Sequence, residues 1–587
     1  MIKLLKSLTK KDIFLMCISF IFIVIQVYLD LRLPEYMSEM TLLIQTGVIV
    51  LNDILIVGLK MLIVAFGSLM ISTIIVYCTS YIAADFSYNT RKKLFQKVES
   101  FSMNEIKKFK TSSLITRTTN DINQVEMFIV MGFQLLIKSP IMAIWAISKI
   151  LNKNIELSIL TGICVFILLV VVSILISIVM PRFEKVQKLI DKINGVTREN
   201  LTGIRVVRAF NAEGYQEDRF NKVNDDLTNM QLFNQRCFAI LNPVINLVMH
   251  GLTLGIYFIG AILMLSMSLF DKITLFSDMV VFSSYGSQVV MSFLMLAMIF
   301  MILPRAEVSA KRINEVLDEN NSIKDGKFDI LDTDVKGEIE FKNVSFKYPD
   351  AKEYVLNDIS FKVKKGETVA FIGSTGSGKS TLINLIPRFY DVSEGSILVD
   401  GVNVKKYKGE VLNNKIGYIP QKAVMFSGTV DSNVRYGDNG KKELSEEDVI
   451  KALDIAQATD FIAKMPDGYE SHIARGGTNI SGGQKQRISI ARAIAKNPEI
   501  YIFDDSFSAL DYKTDYILRS ELKKYTKDAT CLIVAQRIGT IINADKIIVL
   551  DKGKIVGIGK HKELLDKCDI YKEIALSQLG EEELNNA

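Results

Sequence analysis

Thr368-Val369-Ala370-Phe371-Ile372, followed by Gly373-Ser374-Thr375-Gly376-Ser377-Gly378-Lys379-Ser380-Thr381, decides how this 587-residue chain is read. The first five residues describe a buried strand, and the glycine-rich turn opens into a helix pattern from Thr381. Glycines let the backbone curl so that successive N–H groups face inward, and a helix N-terminus adds a favourable dipole. Such a cradle suits a polyphosphate. Lys379 reaches its β- and γ-phosphates, and Ser380 offers a hydroxyl to Mg²⁺.

Two further stretches complete the pattern. Ile500-Tyr501-Ile502-Phe503-Asp504 is a second buried strand, ending in a carboxylate suited to hold Mg²⁺ opposite the phosphate loop. Between the two lies Ile480-Ser481-Gly482-Gly483-Gln484-Lys485-Gln486-Arg487, leading into a helix pattern through Ala495. A serine hydroxyl and glycine N–H groups at a helix start form a second phosphate-facing surface.

Outside this region the composition shifts. Apolar residues make up 49% of the chain and mean hydropathy is +0.24, with the excess concentrated in residues 12–303. A bilayer core needs about 20 apolar residues of helix, and such stretches lie near 12–34, 53–83, 125–150, 156–180, 237–268 and 276–303. Lys138, Ser139 and Pro140 interrupt the third. The apolar run from Asp12 to Leu33 is too long for a cleavable signal peptide and reads as a span. Segments 84–124 and 181–235 are rich in Lys and Arg, while the other connections are short or poor in them. The positive-inside rule therefore places the N-terminus, both long segments and the C-terminal half in the cytoplasm of a multi-pass plasma-membrane protein. These segments keep helical periodicity and read as membrane helices continued beyond the bilayer. The domain reading is a transmembrane unit over 1–317, a polar linker over 318–336 and a nucleotide-binding unit over 337–587.

The net charge of +5 gives no signal for nucleic acid as a partner. Six cysteines and three histidines are scattered without metal-ligand spacing, which argues against a protein-built zinc site.

Ser481–Gln484 resembles the signature sequence of ATP-binding cassette (ABC) proteins. With six spans ahead of one cassette, the chain is similar to exporter-type half-transporters, and in particular to the degenerate-site subunit of heterodimeric bacterial multidrug exporters. The implied fold is an all-α six-helix membrane domain fused to a cytoplasmic α/β P-loop domain. The resemblance implies ATP and Mg²⁺ as ligands, with a second half-transporter, the lipid bilayer and a small hydrophobic substrate as partners. In that family two cassettes sandwich two ATP molecules, each between one chain's phosphate loop and the other's signature. Carried over, Tyr348 stacks on adenine, Gln421 senses Mg²⁺ beside Ser380 and Asp504, and Ser508-Ala509-Leu510-Asp511 is the D-loop. The loop tips near 103–112 and 211–216 relay cassette closure to the bundle.

Three positions depart from the family pattern. Asp505 stands where a glutamate polarises the attacking water, and one methylene fewer shortens its reach by ~1.5 Å, where about 1 Å can cost on the order of a hundredfold. Gln536 stands at the switch-loop histidine and cannot act as an imidazole acid or base. Arg475, just before the signature, replaces a frequent acidic residue. With Ser481, Gly482, Gly483 and Gln484 intact, the expectation is an own site that hydrolyses slowly and a signature that completes an active site on a different chain. A regulatory ATP-binding subunit without turnover and an importer built on the exporter fold are the alternative readings. Met291, Met295, Met298 and Met301, with Phe282, Tyr285, Phe293 and Phe300, suit a hydrophobic drug or lipid, and suit ordinary lipid-facing packing better. No run of intramembrane acids or bases points to ion coupling.

Overall fold

The computed structural model describes residues 1–45, 51–151, 155–265, 267–331, 333, 335–437 and 443–578. It divides into two compact units: Met1–Glu99 with Thr111–Glu319, and Ser100–Lys110 with Asn320–Ala587.

Six helical runs among the described residues are long and apolar enough to cross a membrane. In chain order the helices include α1 (Lys10–Gln45), α2 (Leu51–Glu99), the short α3 (Met103–Phe109), α4 (Asn120–Phe133) and α5 (Ser139–Leu151). They continue with α6 (Ile155–Thr202), α7 (Glu213–Ala239), α8 (Leu241–Met264) and α9 (Leu269–Leu317). The expected spans fall on these runs, the fifth ending at Met264. The 48 residues of α6 extend about 72 Å at ~1.5 Å per residue, more than twice a hydrocarbon core. The first parts of the two basic segments, 84–99 and 181–202, are helical continuations of α2 and α6, and the chain breaks helix after each. Ile23, Val27, Leu31, Phe282, Tyr285 and Val289 are buried in the bundle. The side chains of Phe300 and Met301 lie outside the described residues.

The interruption at Lys138-Ser139-Pro140 does not end the third run. It becomes a π-helical turn, Gln134–Lys138, joining α4 to α5. Pro140 has no N–H for the carbonyl one turn earlier, which favours the wider turn. The structure also reveals polar pairs among the membrane helices that no local pattern announces. Asp30 meets Lys138 at 3.2 Å and accepts a 2.5 Å hydrogen bond from Ser68. Glu35 meets Lys149 of α5 at 2.7 Å, beside a local i,i+3 pair with Arg32 at 2.6 Å.

The second unit is built on two large sheets, with a two-stranded ribbon between Gly428–Thr429 and His472–Ile473 beside them. Its elements include β1 (Ile339–Phe346), β2 (Leu356–Val363), β3 (Thr368–Gly373), α10 (Lys379–Asn384), β4 (Glu394–Val399) and β5 (Val402–Asn403). They continue with β6 (Ile416–Ile419), α11 (Gly482–Lys496), β7 (Ile500–Asp504), α12 (Tyr512–Tyr525), β8 (Thr530–Val534), β9 (Lys546–Asp551) and β10 (Lys554–Gly559). Four strands form an antiparallel sheet in the order β2-β1-β4-β5. Six form a second sheet in the order β10-β9-β3-β8-β7-β6, parallel except for β10. Along β3, Val369 and Phe371 join one apolar core while Ala370 and Ile372 join another. A strand buried on both faces explains the unbroken apolar run that opened the reading.

Residues 320–331 are not a free tether. Gly326 N–H donates to Tyr407 O and Phe328 N–H to Lys406 O, both at 2.9 Å. The Phe328 ring meets Tyr407 edge-on at 5.0 Å. A Cβ on Gly326 would lie 1.9 Å from Lys406 O, so only glycine permits this approach. Further along, buried Lys415 binds Asp400 at 2.8 Å, Glu499 at 2.9 Å and the Thr333 hydroxyl at 3.0 Å. The helix α3 also belongs to this unit. Ser102 and Glu105 cap it reciprocally, and Glu105 accepts the Ser322 N–H at 3.1 Å.

Candidate functional site

Parallel register brings the ends of four strands together. Val534 pairs with Phe371 and Asp504, and Ile419 pairs with Phe503. The segments leaving β3, β6, β7 and β8 thus open at one edge, where open α/β sheets bind ligands.

The phosphate loop leaves β3 at Gly373, whose φ of +155° and whose Cβ position 2.0 Å from Leu550 O exclude a side chain. Gly378, left-handed at φ 99°, begins α10, and Gly376 takes φ +84°. Ser374 and Thr375 are exposed, whereas Ser377 is buried. Lys379 folds back so that Nζ donates to Gly373 O and Ser374 O, each at 2.8 Å. The cradle therefore already holds a cation donor at its mouth, placed to turn toward an incoming anion. Burial lowers the Lys379 pKa, against the pull of Asp505 and Asp504.

Ser380 Oγ donates to Asp504 Oδ1 at 2.7 Å. Burial raises the Asp504 pKa while the Ser380 hydrogen bond opposes it. A hydroxyl and a carboxylate oxygen, drawn together beside a phosphate cradle, are the hard donors Mg²⁺ prefers. The residues present fit Mg²⁺ bound with a nucleotide polyphosphate.

Asp505 follows in the left-handed region at φ 49°, its N–H donating to Val534 O at 3.0 Å. Its carboxylate is not free. Oδ2 accepts from Gln421 Nε2 at 3.1 Å and from Gln536 Nε2 at 2.8 Å. Motifs mark all three residues, but no local pattern shows them meeting at one oxygen. Gln578, which no motif marks, also holds the segment after β8. Its amide donates to Gln536 O at 2.7 Å and accepts from Ile538 N–H at 2.8 Å.

Tyr348, half-buried after β1, shares a 3.1 Å hydrogen bond with the Thr381 hydroxyl and meets Tyr390 edge-on at 5.2 Å. Lys107 of α3 lies over it, Nζ 4.4 Å from the ring centroid and 5.3 Å from that of Tyr390. No local pattern announces this contact, because some 240 residues separate the partners.

Ser481–Gln484 forms a separate surface. Ser481 caps α11, accepting from Gln484 N–H at 3.3 Å, while Gln484 Oε1 accepts from Ser481 N–H at 2.8 Å. A Cβ on Gly482 would meet nothing within 4 Å, and one on Gly483 would touch Ala509 O at 3.2 Å. The bare approach at Gly482 thus has no internal packing cause. Among the described residues, no hydrogen bond joins this surface to the phosphate loop. Arg475 sits in a 3₁₀ turn, and nothing in the structure explains its departure from the family pattern.

Comparison with known proteins gives a consistent result. The family model described as ABC transporter matches residues 356–508, and the model for the ABC transporter transmembrane region matches residues 13–293. An uncharacterized ABC transporter ATP-binding protein of Mycobacterium tuberculosis is 40% identical, over 86% of this chain and 85% of its own. The Bacillus subtilis ATP-binding/permease protein YgaD, whose name carries a provisional assignment to multidrug export, is 32% identical over 85% and 84%. A solved bacterial Atm1-family ABC exporter with ATP bound superposes with a TM-score of 0.79 at 25% identity, covering 96% of this chain and 98% of its own.

Proposed function

The chain belongs to the ABC transporter family, and from that premise we propose that it is one half of an ATP-driven exporter for hydrophobic drugs or lipids. It works as a heterodimer, with its cassette on the cytoplasmic face. Its own ATP site, built on Gly373–Thr381, Asp504 and Tyr348, binds nucleotide with Mg²⁺ on Ser380, Asp504 and Gln421 and cleaves it slowly. Ser481–Gln484 completes an active site whose phosphate loop lies on the partner chain.

The observation that carries this reading is the double hydrogen bond on Asp505 Oδ2 from Gln421 and Gln536. A general base must present a lone pair to the attacking water within about 3 Å. Here two amides hold the shortened side chain, and neither can pass a proton onward. Support for an apolar cargo comes from the membrane unit, where a cavity of about 650 Å³ is lined by Met291, Met295 and Met298.

The test is steady-state ATPase of the purified chain, alone and reconstituted with its partner half. Turnover about tenfold or more higher in the pair is expected if only the partner's site has a working base. Equal turnover in the two samples overturns the heterodimer reading. The hold on Asp505 also favours a stricter version, in which this site clamps ATP without cleaving it. Chromatography of trapped nucleotide separates the two: ADP accumulating over many minutes supports slow hydrolysis, and ATP alone supports the clamp.

A further inference from the structure

Parallel pairing sets Ile533 of β8 beside Phe503 of β7 on one face of the six-stranded sheet. Leu518 and Leu522 of α12 cluster with Phe503, while Ile538 and Ile541 of the short helix Ile538–Ile541 belong to a second apolar cluster. Ile533 packs against both. The seam between them is not closed: it holds a cavity of about 250 Å³. Its apolar lining includes Phe503, Phe507, Leu522, Cys531 and Ile533, and the rings of Phe503 and Phe507 stack with centroids 5.1 Å apart. Arg519 struts the opening. Its guanidinium meets Asp515 of its own helix at 2.9 Å and donates across the seam to Gly539 O at 3.0 Å and Thr540 O at 3.3 Å.

The remaining polar lining includes groups that are uncommitted. Lys523, Ser520 and Asn543 make no side-chain hydrogen bond or ion pair among the described residues. No carboxylate lines the cavity among those residues, and the charge of Arg519 is already matched by Asp515. Asp545, next to the lining residue Ala544, accepts the Thr368 N–H at 2.9 Å. Lys523 is thus the lining charge left without a partner, whereas the adjacent Lys524 is paired with Glu521 at 2.7 Å. An ammonium has three donors and no acceptor, so its complement is an anion. The volume falls below the ~300–1,000 Å³ of drug-sized sites, which limits the occupant to about one ring with a short acidic arm.

We propose that this cavity binds a small aromatic carboxylate. The ring packs against Phe507, Phe503 and Ile533, where aromatic pairs favour offset or edge-on contact. The carboxylate sits at the rim on Lys523, with Ser520 and Asn543 as further donors. A ligand there touches both elements that lead away from the candidate ATP site, since α12 follows Ser508–Asp511 and the short helix follows Gln536. The site depends only on the fold of this unit and is independent of cargo, partner chain and transport direction.

The experiment is fluorine NMR of para-fluorophenylpropanoate with the full chain in detergent and no nucleotide, affinity being read from line broadening. The amine of the same skeleton, para-fluorophenylpropylamine, is titrated alongside. Lys523→Glu is expected to weaken the carboxylate about tenfold and to strengthen the amine about threefold. The control Lys524→Glu makes the same change in net charge one residue away and is expected to leave both affinities as in the native chain. Propanoate, which lacks the ring, is expected to compete about tenfold or more weakly than unlabelled phenylpropanoate. An unchanged preference for carboxylate over amine in Lys523→Glu overturns the site, as does an equal shift in the two variants. Equal competition by propanoate also overturns it, because the cavity would then contribute nothing.

Discussion

The two glycine-rich helix starts of the nucleotide-binding unit, at Gly373–Ser380 and at Ser481–Gln484, are built on opposite principles. At the phosphate-loop end, the polar groups are already engaged with one another: Lys379 with loop carbonyls, Ser380 with Asp504, and Asp505 with two glutamines. At the signature end, Ser481 and Gln484 satisfy each other, while Gly482 borders open space. One surface grips with its own side chains. The other is a bare helix start with open space in front of Gly482. A self-engaged site suits retention of a ligand, and an exposed one suits completing another site.

The largest expected effect comes from spoiling the exposed end. Gly482→Asp places a carboxylate where phosphate would approach, and the structure has room for the side chain. ATPase of the paired complex is expected to fall on the order of a hundredfold, while this chain's own loop keeps nucleotide, as photolabelling would report. If both fall together, the two surfaces do not serve separate sites. Next, Asp505→Glu with Gln536→His is expected to raise turnover at the own site about tenfold or more, read by single-turnover hydrolysis with the partner site disabled. An unchanged rate would mean that the hold on position 505 is not what limits cleavage.

A smaller change tests Tyr348. Lys107→Gln removes the ammonium from its ring, where such contacts are worth about 0.5–1 kcal/mol, and is expected to tighten ATP binding about two- to fivefold. Weaker binding would show the ammonium assisting the base rather than competing with it. The smallest effect is a pH control common to both ends. His561 is buried beside Tyr571, and burial lowers its pKa, with Lys562 adding to the shift. Its folded value lies below the unfolded value of about 6.5, so its contribution to stability is full above that pH. The contribution is lost as pH falls toward the folded value. Thermal melts of the chain at pH 7.5 and 5.5 are expected to differ less in His561→Gln than in the native chain.

What could be read in advance follows from how local each feature is. The strand, turn and helix around Gly373–Ser380 lie within one short stretch, as do Ile500–Asp504 and Ser481–Gln484, so their chemistry is visible as text. The six spans are legible because apolar length is itself the physical requirement. The meeting of Gln421, Asp505 and Gln536 depends on strand order β8-β7-β6, which no local pattern states. Lys107 over Tyr348 and the pairs Asp30–Lys138 and Glu35–Lys149 are likewise tertiary. A lone Asp or Lys in an apolar run shows nothing of its partner on another helix.

The docking of residues 320–333 sets where the chain can be cut. A fragment starting at 337 strips the Phe328 ring from Tyr407 and the Thr333 hydroxyl from Lys415, leaving an edge of its main core and a buried ammonium newly exposed to water. A fragment starting at Asn320 keeps both. Recombinant work on the nucleotide-binding half should therefore begin at the end of α9 and not at the first strand, and tags or fusion partners belong ahead of that point.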